Sequence, residues 1–272
     1  MPELPEVESA RRVISRAALR RRIVAVDDSD RYVCRPHSPG ELQDALVGRA
    51  ITAAHRVGKS IWCDTGSGRS GGPALGVHLG MSGKIVVADR DGTEIDGGDR
   101  WEGRRQPGDY QWSRFSLEFA DGGRLMLVDP RRLGRIRLDP PVDRLGPDAE
   151  RISPAQFRAA LSHSTAPVKA RLLDQHVLAG IGNLLADQIL WSARVHPARP
   201  VDSLTRAEVD RLQRATRRAV KVATQAGGVH ALSLLPYRHA GAQCPRDGAP
   251  MVRSTVGGRT SWWCADEQAA TG

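Results

Sequence analysis

The spacing of hydrophobic residues changes near position 139, where a strand-rich half of the chain gives way to a helical half. Before that point, residues 7–19 carry an apolar stripe of helical spacing with arginines opposite, which predicts a helix from Val7 to Leu19. Short alternating or apolar runs follow, divided by Gly- and Asp-rich turns. They predict strands at Ile23–Val26, Ile51–Ala54, Ser60–Cys63, Leu75–His78, Lys84–Val87, Ser113–Phe119, Arg124–Val128 and Arg135–Leu138.

Two other segments interrupt these strands. Residues 39–47 predict a short helix, and the polar stretch 89–108, rich in Gly, Asp and Arg, predicts an exposed loop. One helix followed by many short strands is typical of an antiparallel sandwich or barrel.

Beyond the break at Leu138-Asp139-Pro140-Pro141 the pattern is helical. Ser153 before Pro154 predicts a capped helix start, and Thr205 with Glu208 forms the sequence of a capping box. Helices are predicted from Pro154 and at Val168–Gln175, Leu184–Ala193 and Thr205–Ala226, and a C-terminal hairpin at Met251–Thr255 and Thr260–Trp263 about Gly257-Gly258. We expect an α+β protein with domains at 1–138, 139–242 and 243–272.

Charge narrows the class of partner. The chain has 272 residues and carries 40 Lys and Arg against 31 Asp and Glu, a formal net charge of +9, which favours DNA or RNA ahead of an anionic membrane. No apolar run is long enough for a transmembrane helix, and the N-terminus lacks the apolar core of a signal peptide. We therefore expect a cytoplasmic protein. Four scattered cysteines are too few for a disulfide framework.

The opening residues, MPELPEVE, carry the first candidate chemistry. If Met1 is removed, as a small second residue favours, Pro2 begins the chain with a secondary amine. An α-amino group has a pKa of about 7.7–8.0, so part of it is unprotonated near neutral pH and can attack an electrophilic carbon to form an iminium. Glu3 beside it could move protons. The alternative is that these residues are only an acidic, proline-stiffened helix start.

Four further stretches have both a chemical and a structural interpretation. A loop of three arginines suits phosphate contacts, a methionine between glycines suits a wedge in a base stack, and a glycine-rich turn before a helix suits a phosphate. A lone lysine between two strands is usually a solvated edge residue. Each could equally be an ordinary turn, solvated loop or helix cap. They are Arg56-Val57-Gly58-Lys59-Ser60, residues 77–84 around Met81, Asp129-Pro130-Arg131-Arg132-Leu133-Gly134-Arg135, and residues 172–184 around Asn183.

Taken together, these motifs resemble the formamidopyrimidine-DNA glycosylase/endonuclease VIII family of base-excision repair enzymes. The matching pieces are MPELPEVE, GK at Lys59, HLGMSG at 78–83, DPRRLG at 129–134, LLDQHVLAGIGN at 172–183 and GRT at 258–260, in the family's order and over nearly the whole chain. The resemblance implies an N-terminal β-sandwich with flanking helices, a helix–two-turn–helix domain and a C-terminal β-hairpin finger. It implies a monomer that binds damaged or abasic duplex DNA.

The resemblance also implies a role for each matching residue. The implied activity is that of a bifunctional DNA glycosylase and AP lyase, in which Pro2 forms a Schiff base with the sugar C1′ of a flipped nucleotide and Glu3 is the general acid/base. Lys59 is similar to a lysine tied to β-elimination, and Arg259 to a finger arginine that grips phosphate and is tied to δ-elimination. The remaining implied DNA contacts are Glu6 in the active site, Met81, Arg131 and Leu133 in the duplex gap, and Lys169 and Asn183 on phosphates.

The sequence departs from the family in its finger. The zinc-binding form has two Cys-x2-Cys pairs, whereas here the second position of each pair is acidic, giving Cys244 with Asp247 and Cys264 with Glu267. His239 is an alternative ligand. Structural zinc sites overwhelmingly use Cys and His, so the donor set favours a finger without zinc, while zinc stays open.

Two other departures bear on the substrate. Leu133 stands where purine-directed members carry an aromatic residue, and only residues 227–243 separate the last long helix from the finger, where members that hold 8-oxoguanine have a longer loop. We therefore expect oxidised pyrimidines, formamidopyrimidines, abasic sites or another adduct before 8-oxoguanine. A damage-binding protein with little turnover is the alternative function, and an RNA-associated basic protein, argued from charge only, is a third.

Overall fold

The computed structural model describes residues 1–68, 70–100, 108–162 and 164–269, which form two compact units, Met1–Asp143 and Arg144–Gly272. Within those described ranges no helix is long and apolar enough to cross a membrane. The helical segment and the C-terminal hairpin fall in the same unit, and the three-domain division stays a prediction.

The first unit is an antiparallel β-sandwich with two helices. One sheet has the order β1-β8-β9-β6-β7 and the other β10-β5-β3-β2, with β4 beside β3, and neither closes into a barrel. The elements are α1 Leu4–Ala17, β1 Ile23–Asp27, α2 Glu41–Leu46, β2 Ala50–Val57, β3 Ser60–Ser67, β4 Ser70–Gly71, β5 Leu75–His78, β6 Lys84–Ala88, β7 Glu94–Gly98, β8 Ser113–Phe119, β9 Arg124–Val128 and β10 Arg135–Leu138. All eight predicted strands are present, so the expected α+β sandwich is confirmed.

A large apolar core lies between the two sheets and beneath α1. It contains Leu117 and Leu127 from the first sheet, Ile61 and Val77 from the second, and Ile14 from α1, each almost fully buried. Because α1 contributes its apolar stripe to this core, the position of its first turn is fixed by the packing of the whole helix.

Strand β7 is the one substantial error of the sequence prediction, which assigned residues 89–108 to an exposed loop. Glu94–Gly98 pairs instead with β6 along its whole length. Helix α1 crosses this strand so closely that a Cβ atom on Gly97 would lie 2.7 Å from the backbone of Ser9. The strand therefore needs glycine where sequence reasoning expects an apolar residue. Residues 101–107 of the predicted loop lie outside the described residues.

Within its described residues, the second unit combines four α-helices with a hairpin. Ser153 and Thr205 cap their helices as predicted, whereas α5 is capped by Gly182, so that Asn183 is its first residue and not its cap. The hairpin turns at Gly257 and Gly258, both with positive φ, as predicted. The elements are α3 Pro154–Ala160, α4 Val168–Leu173, α5 Asn183–Ala193, α6 Arg206–Gln225, β11 Met251–Val256 and β12 Arg259–Cys264.

Candidate active site and nucleic-acid contacts

The first candidate residues lie at the start of α1. Pro2 and Glu3 are buried, Glu3 completely, and the Glu3 backbone N–H donates to the carboxylate of Glu6 at 3.0 Å. The Met1 amine lies 3.1 Å from Asp99 Oδ1. The residue that follows Met1 is thus held at an enclosed helix start, next to the Glu3 carboxylate.

A buried arginine joins this helix to the turn that carries Lys59. Arg56, at the end of β2, donates to Glu8 of α1 at 3.0 Å and to the carbonyl of Gly58 at 3.1 Å, and its side chain is 1% exposed. Gly58 has φ +56 and, with Lys59, forms the two-residue turn between β2 and β3. The half-buried Lys59 therefore has a defined position relative to the start of α1.

Glu8 is the acidic partner of this connection. It accepts hydrogen bonds from Arg11 and Arg12 as well as from Arg56. Burial raises the pKa of Glu8, but hydrogen bonds and charge from Arg11 and Arg56 outweigh it and lower the pKa to about 2. Sequence reasoning missed both Glu8 and Arg56, since their pairing joins residues 48 positions apart.

His78 lies next to Lys59, because β5 pairs with β3 so that His78 faces Ser60. Although the residue is partly exposed, surrounding protein desolvates its ring, and this together with the Lys59 charge lowers the pKa of His78. The Gly80 backbone N–H donates to its Nδ1 at 3.0 Å, which requires that nitrogen to be unprotonated. We therefore expect a neutral imidazole beside Lys59 at neutral pH.

The two loops that carry Met81 and Leu133 are fastened together by Asp129. Its fully buried carboxylate accepts from Ser82 Oγ at 2.5 Å and from the backbone N–H groups of Leu133 at 2.8 Å and Gly134 at 2.7 Å. The backbones touch, since a Cβ atom on Gly80 would lie 2.4 Å from the Leu133 carbonyl. Asp129 belongs to the motif at residues 129–135, but its sequence context did not indicate that its carboxylate would be buried.

On this fixed backbone the three predicted gap-filling side chains are exposed. Met81 is 37% and Leu133 41% exposed, unusual values for large apolar residues, and Arg131 is also exposed. The Arg131 backbone N–H is itself held by Asp129 at 3.1 Å. Exposed apolar tips on a rigid loop can enter a base stack without a large ordering cost.

In the second unit, Lys169 differs most from its expected role. It is completely buried, and its ammonium donates to Asp187 at 2.6 Å, to the Thr260 carbonyl at 2.8 Å and to Ser261 Oγ at 2.8 Å. Arg238 donates to the other Asp187 oxygen at 2.8 Å. Lys169 thus joins α4 to α5 and β12, and a phosphate contact for it stays a prediction that requires these bonds to open.

Asn183 and Arg259, the two other predicted phosphate contacts of this unit, differ in exposure. Asn183 is half-buried in the first turn of α5, and its side-chain oxygen has no hydrogen-bond partner among the described residues. Arg259 is exposed immediately after the glycine turn of the hairpin. Since Lys169 bonds to the next two residues, Thr260 and Ser261, the base of β12 that presents Arg259 is firmly held.

The finger brings together the four residues at the positions of the family's cysteines. Cys244, Asp247, Cys264 and Glu267 place one ligand atom each within 4.8 Å of the others, so the group could hold a metal ion. His239 is not part of it; its Nδ1 lies 3.0 Å from the carbonyl of Ala240. By distance the four fit a divalent ion, but only two of the donors are the soft thiolates that structural zinc prefers.

The same group is also satisfied by protein contacts. Cys264 Sγ donates to Asp247 at 3.1 Å, and burial together with this bond raises the pKa of the Cys264 thiol to about 11. Glu267 is paired with Arg194 at 3.1 Å and with Arg246. Each carboxylate therefore already has a partner of its own.

Comparison with known proteins identifies the family. Residues 1–136 match the model of the formamidopyrimidine-DNA glycosylase N-terminal domain, and residues 145–233 match that of the formamidopyrimidine-DNA glycosylase H2TH domain. The chain belongs to the formamidopyrimidine-DNA glycosylase family.

Individual relatives agree over the full length. The chain is 32% identical to the formamidopyrimidine-DNA glycosylase of Parafrankia sp., over 97% of this chain and 96% of the relative, and 31% identical to that of Chloroflexus aurantiacus, again over 97% and 96%. Among solved structures it is similar to Lactococcus lactis Fpg bound to DNA containing an oxidised pyrimidine, with TM-score 0.80, 26% identity and coverage of 98% and 100%. A complex of that protein with abasic-site DNA has a TM-score of 0.79 and 25% identity, and the similarity covers 98% of this chain and 99% of that one.

Proposed function

We propose that this chain is a DNA glycosylase with AP lyase activity, and that Pro2 is its nucleophile. The observation that carries the proposal is the buried Pro2-Glu3 pair at the start of α1, in a chain of this family. A carboxylate enclosed beside an amine is suited to relay protons to and from it.

The proposed chemistry begins once Met1 is removed. The Pro2 nitrogen adds to C1′ of the deoxyribose, the bond from C1′ to the base breaks, and the base leaves with a proton that Glu3 supplies. The nitrogen loses its proton to the Glu3 carboxylate, and the bond from C1′ to O4′ then breaks as O4′ takes a proton from water, which gives an iminium between Pro2 and C1′. Loss of a C2′ proton then expels the 3′ phosphate, which is β-elimination. Because the base must be outside the stack for any of these steps, the nucleotide is flipped first.

The other predicted residues support these steps in the proposal. Lys59, held by the Arg56 connection, contacts the phosphodiester that breaks, and Arg259 grips a phosphate and assists a second elimination. Met81, Arg131 and Leu133 fill the gap that the flipped nucleotide leaves in the duplex. Glu6 orders the backbone of Glu3, and Asn183 binds phosphate at the start of α5.

The proposed substrates are oxidised pyrimidines, formamidopyrimidines and abasic sites ahead of 8-oxoguanine. The segment 227–243 is fastened to α5 at two points: the Leu234 backbone N–H, in a residue that is 1% exposed, donates to Gln188, and Arg238 bonds to Asp187. Such a segment offers little free chain to close over a flipped purine. Cleavage rates on duplexes that differ only in the lesion test this order, and fastest cleavage at 8-oxoguanine would contradict it.

Borohydride trapping on abasic duplex tests the nucleophile. We expect a covalent adduct with the intact chain and a loss of at least about tenfold with Pro2→Gly, because the secondary amine is removed. Pro5→Gly, the same change three residues along the chain, is the matched control and should retain trapping. An equal adduct with Pro2→Gly, or a mass spectrum in which Met1 is retained on active protein, would contradict the proposal.

A second candidate function is a damage-binding protein with little turnover, favoured by the altered finger, in which Asp247 and Glu267 replace cysteines. Nicking of abasic duplex separates the two. Cleavage that depends on Pro2 excludes the binder, whereas tight binding without cleavage or adduct supports it.

We also propose that the finger folds without zinc, supported by the protein contacts of Asp247 and Glu267. Metal analysis of the purified chain should find well under one zinc per molecule, and a chelator should leave thermal unfolding unchanged. The double variant Asp247→Cys with Glu267→Cys restores four thiols and should take up about one zinc. Stoichiometric zinc in the unmodified chain, with loss of stability on chelation, would contradict the proposal.

A further inference from the structure

Helix α6 is strongly basic beyond its first turns. From residue 211 to its end it contains five basic residues and no acidic one, and all five are exposed: Arg211, Arg214, Arg217, Arg218 and Lys221. The helix's two acids, Glu208 and Asp210, lie before them and are paired with Arg199 and Arg158. The charge of this stretch is therefore not balanced along the helix.

Three of these arginines face one groove. Arg211, Arg214 and Arg218 line it together with the C-terminal half of α5 and residues 231–233, and its volume is about 780 Å³. Arg214 and Arg218 form no ion pair or hydrogen bond with any residue that the structure describes. Arg211 has one distant acidic contact, 3.7 Å from Glu208. The groove therefore presents cations that the protein itself leaves unneutralised.

The floor of the groove is rigid. The Gln188 side chain donates to Ser192 Oγ at 3.0 Å and accepts from the Leu234 backbone at 2.9 Å, which fastens α5 to the segment opposite α6. At one end the Arg246 guanidinium lies 3.9 Å above the Trp191 ring and donates to the Trp191 carbonyl. A ligand would meet a preformed surface, which lowers the ordering cost of binding.

The groove faces away from the phosphate contact proposed for Asn183. Ser192 lies nine residues after Asn183 on α5, about two and a half turns of an α-helix, so the two side chains point to opposite sides roughly 13.5 Å apart along the axis. A phosphate held by Asn183 does not occupy this groove.

We infer that the groove binds a second stretch of nucleic-acid backbone. Arg218 lies seven residues after Arg211, about 10.5 Å along the helix, which is similar to the axial rise over about three phosphate steps of 3.4 Å on one DNA strand, so the three guanidinium groups can reach neighbouring phosphates. Guanidinium groups bind phosphate oxygens in a bidentate manner. Contacts of this kind hold DNA without reading its sequence.

The test compares two double variants of the intact chain. Arg214→Gln with Arg218→Gln removes the unpaired groove cations, and Arg217→Gln with Lys221→Gln removes two exposed cations of the same helix that do not line the groove. Binding of undamaged duplex DNA is measured at several salt concentrations. We expect the groove pair to lower the slope of log affinity against log salt by about 1.8, from about 0.9 per phosphate contact, and the control pair to leave it nearly unchanged.

Equal changes in the two variants would overturn the inference, because they would reflect net charge alone. So would a groove pair that weakens binding of polyglutamate but not of DNA, which would assign the groove to an acidic protein. Equal thermal unfolding of both variants and the parent chain checks the fold. The measurement involves no cleavage, so its outcome is independent of the Pro2 experiment.

Discussion

Two buried carboxylates hold the two units' candidate site segments, and they do so in different electrostatic settings. Glu8 ties α1 to the Lys59 turn through Arg56, and Asp187 ties α4 and the finger hairpin together through Lys169. The Glu8 side chain is 9% exposed and that of Asp187 1%.

Their pKa values move in opposite directions. The arginines around Glu8 outweigh burial and lower its pKa to about 2, whereas burial raises the pKa of Asp187 despite Lys169 and Arg238. The ionised Glu8 carboxylate therefore stabilises the first unit at neutral pH. The Asp187 network holds the hairpin in place, but burying its charged groups costs free energy that the ion pairs must offset.

The largest expected effect comes from Asp187→Ala, which leaves the Lys169 ammonium buried without its carboxylate. We expect the free energy of unfolding of the second unit to fall by about 3–5 kcal/mol. Denaturant unfolding followed by tryptophan fluorescence measures it. Combining Asp187→Leu with Lys169→Met should recover part of the loss, since no buried charge then remains in that pair. A loss below about 1 kcal/mol would show that Lys169 reaches solvent.

A smaller effect is expected from Glu8→Gln, about 2–3 kcal/mol at pH 7, because Arg56 retains its bond to Gly58. Since folding lowers the pKa of Glu8 from 4.5 to about 2, its contribution is present above pH 4.5 and is lost as the pH falls towards 2. The variant's stability should therefore depend less on pH in that window. Asp187→Asn should leave this loss of stability between pH 4.5 and 2 in place, because folding raises the pKa of Asp187 and does not lower it.

The smallest effect is expected from Arg12→Ala. Arg12 also bonds to Glu8, at 2.9 Å, but its side chain is 56% exposed, so water replaces much of the interaction. We expect a loss of about 0.5 kcal/mol or less in the same unfolding measurement. If Arg12→Ala were as damaging as Glu8→Gln, burial would not be what distinguishes the arginines around Glu8.

Local patterns predicted most of the fold. Strands such as Leu75–His78 and Ser113–Phe119 have the predicted bounds, Ser153 caps its helix as predicted, and Thr205 forms the predicted capping box with Glu208. Strand β7 was not predicted because its glycine is required by the close approach of α1. Its residues therefore do not show the alternation of apolar and polar positions that marks a strand. The candidate site residues were found only as separate motifs, and nothing in any one motif said which members are exposed.

The sequence by itself determined the two periods, the break near residue 139, the helix caps, the hairpin turn and the motifs that mark the family, because each depends on neighbouring residues in the chain. Only the tertiary structure decided that Lys169 is buried while Met81 and Leu133 are exposed, and that Glu8, Asp129 and Asp187 hold the segments around them. Burial and pairing of charges depend on groups that are distant in sequence. The free energy of each charged side chain is set by the groups that pack around it in the folded chain.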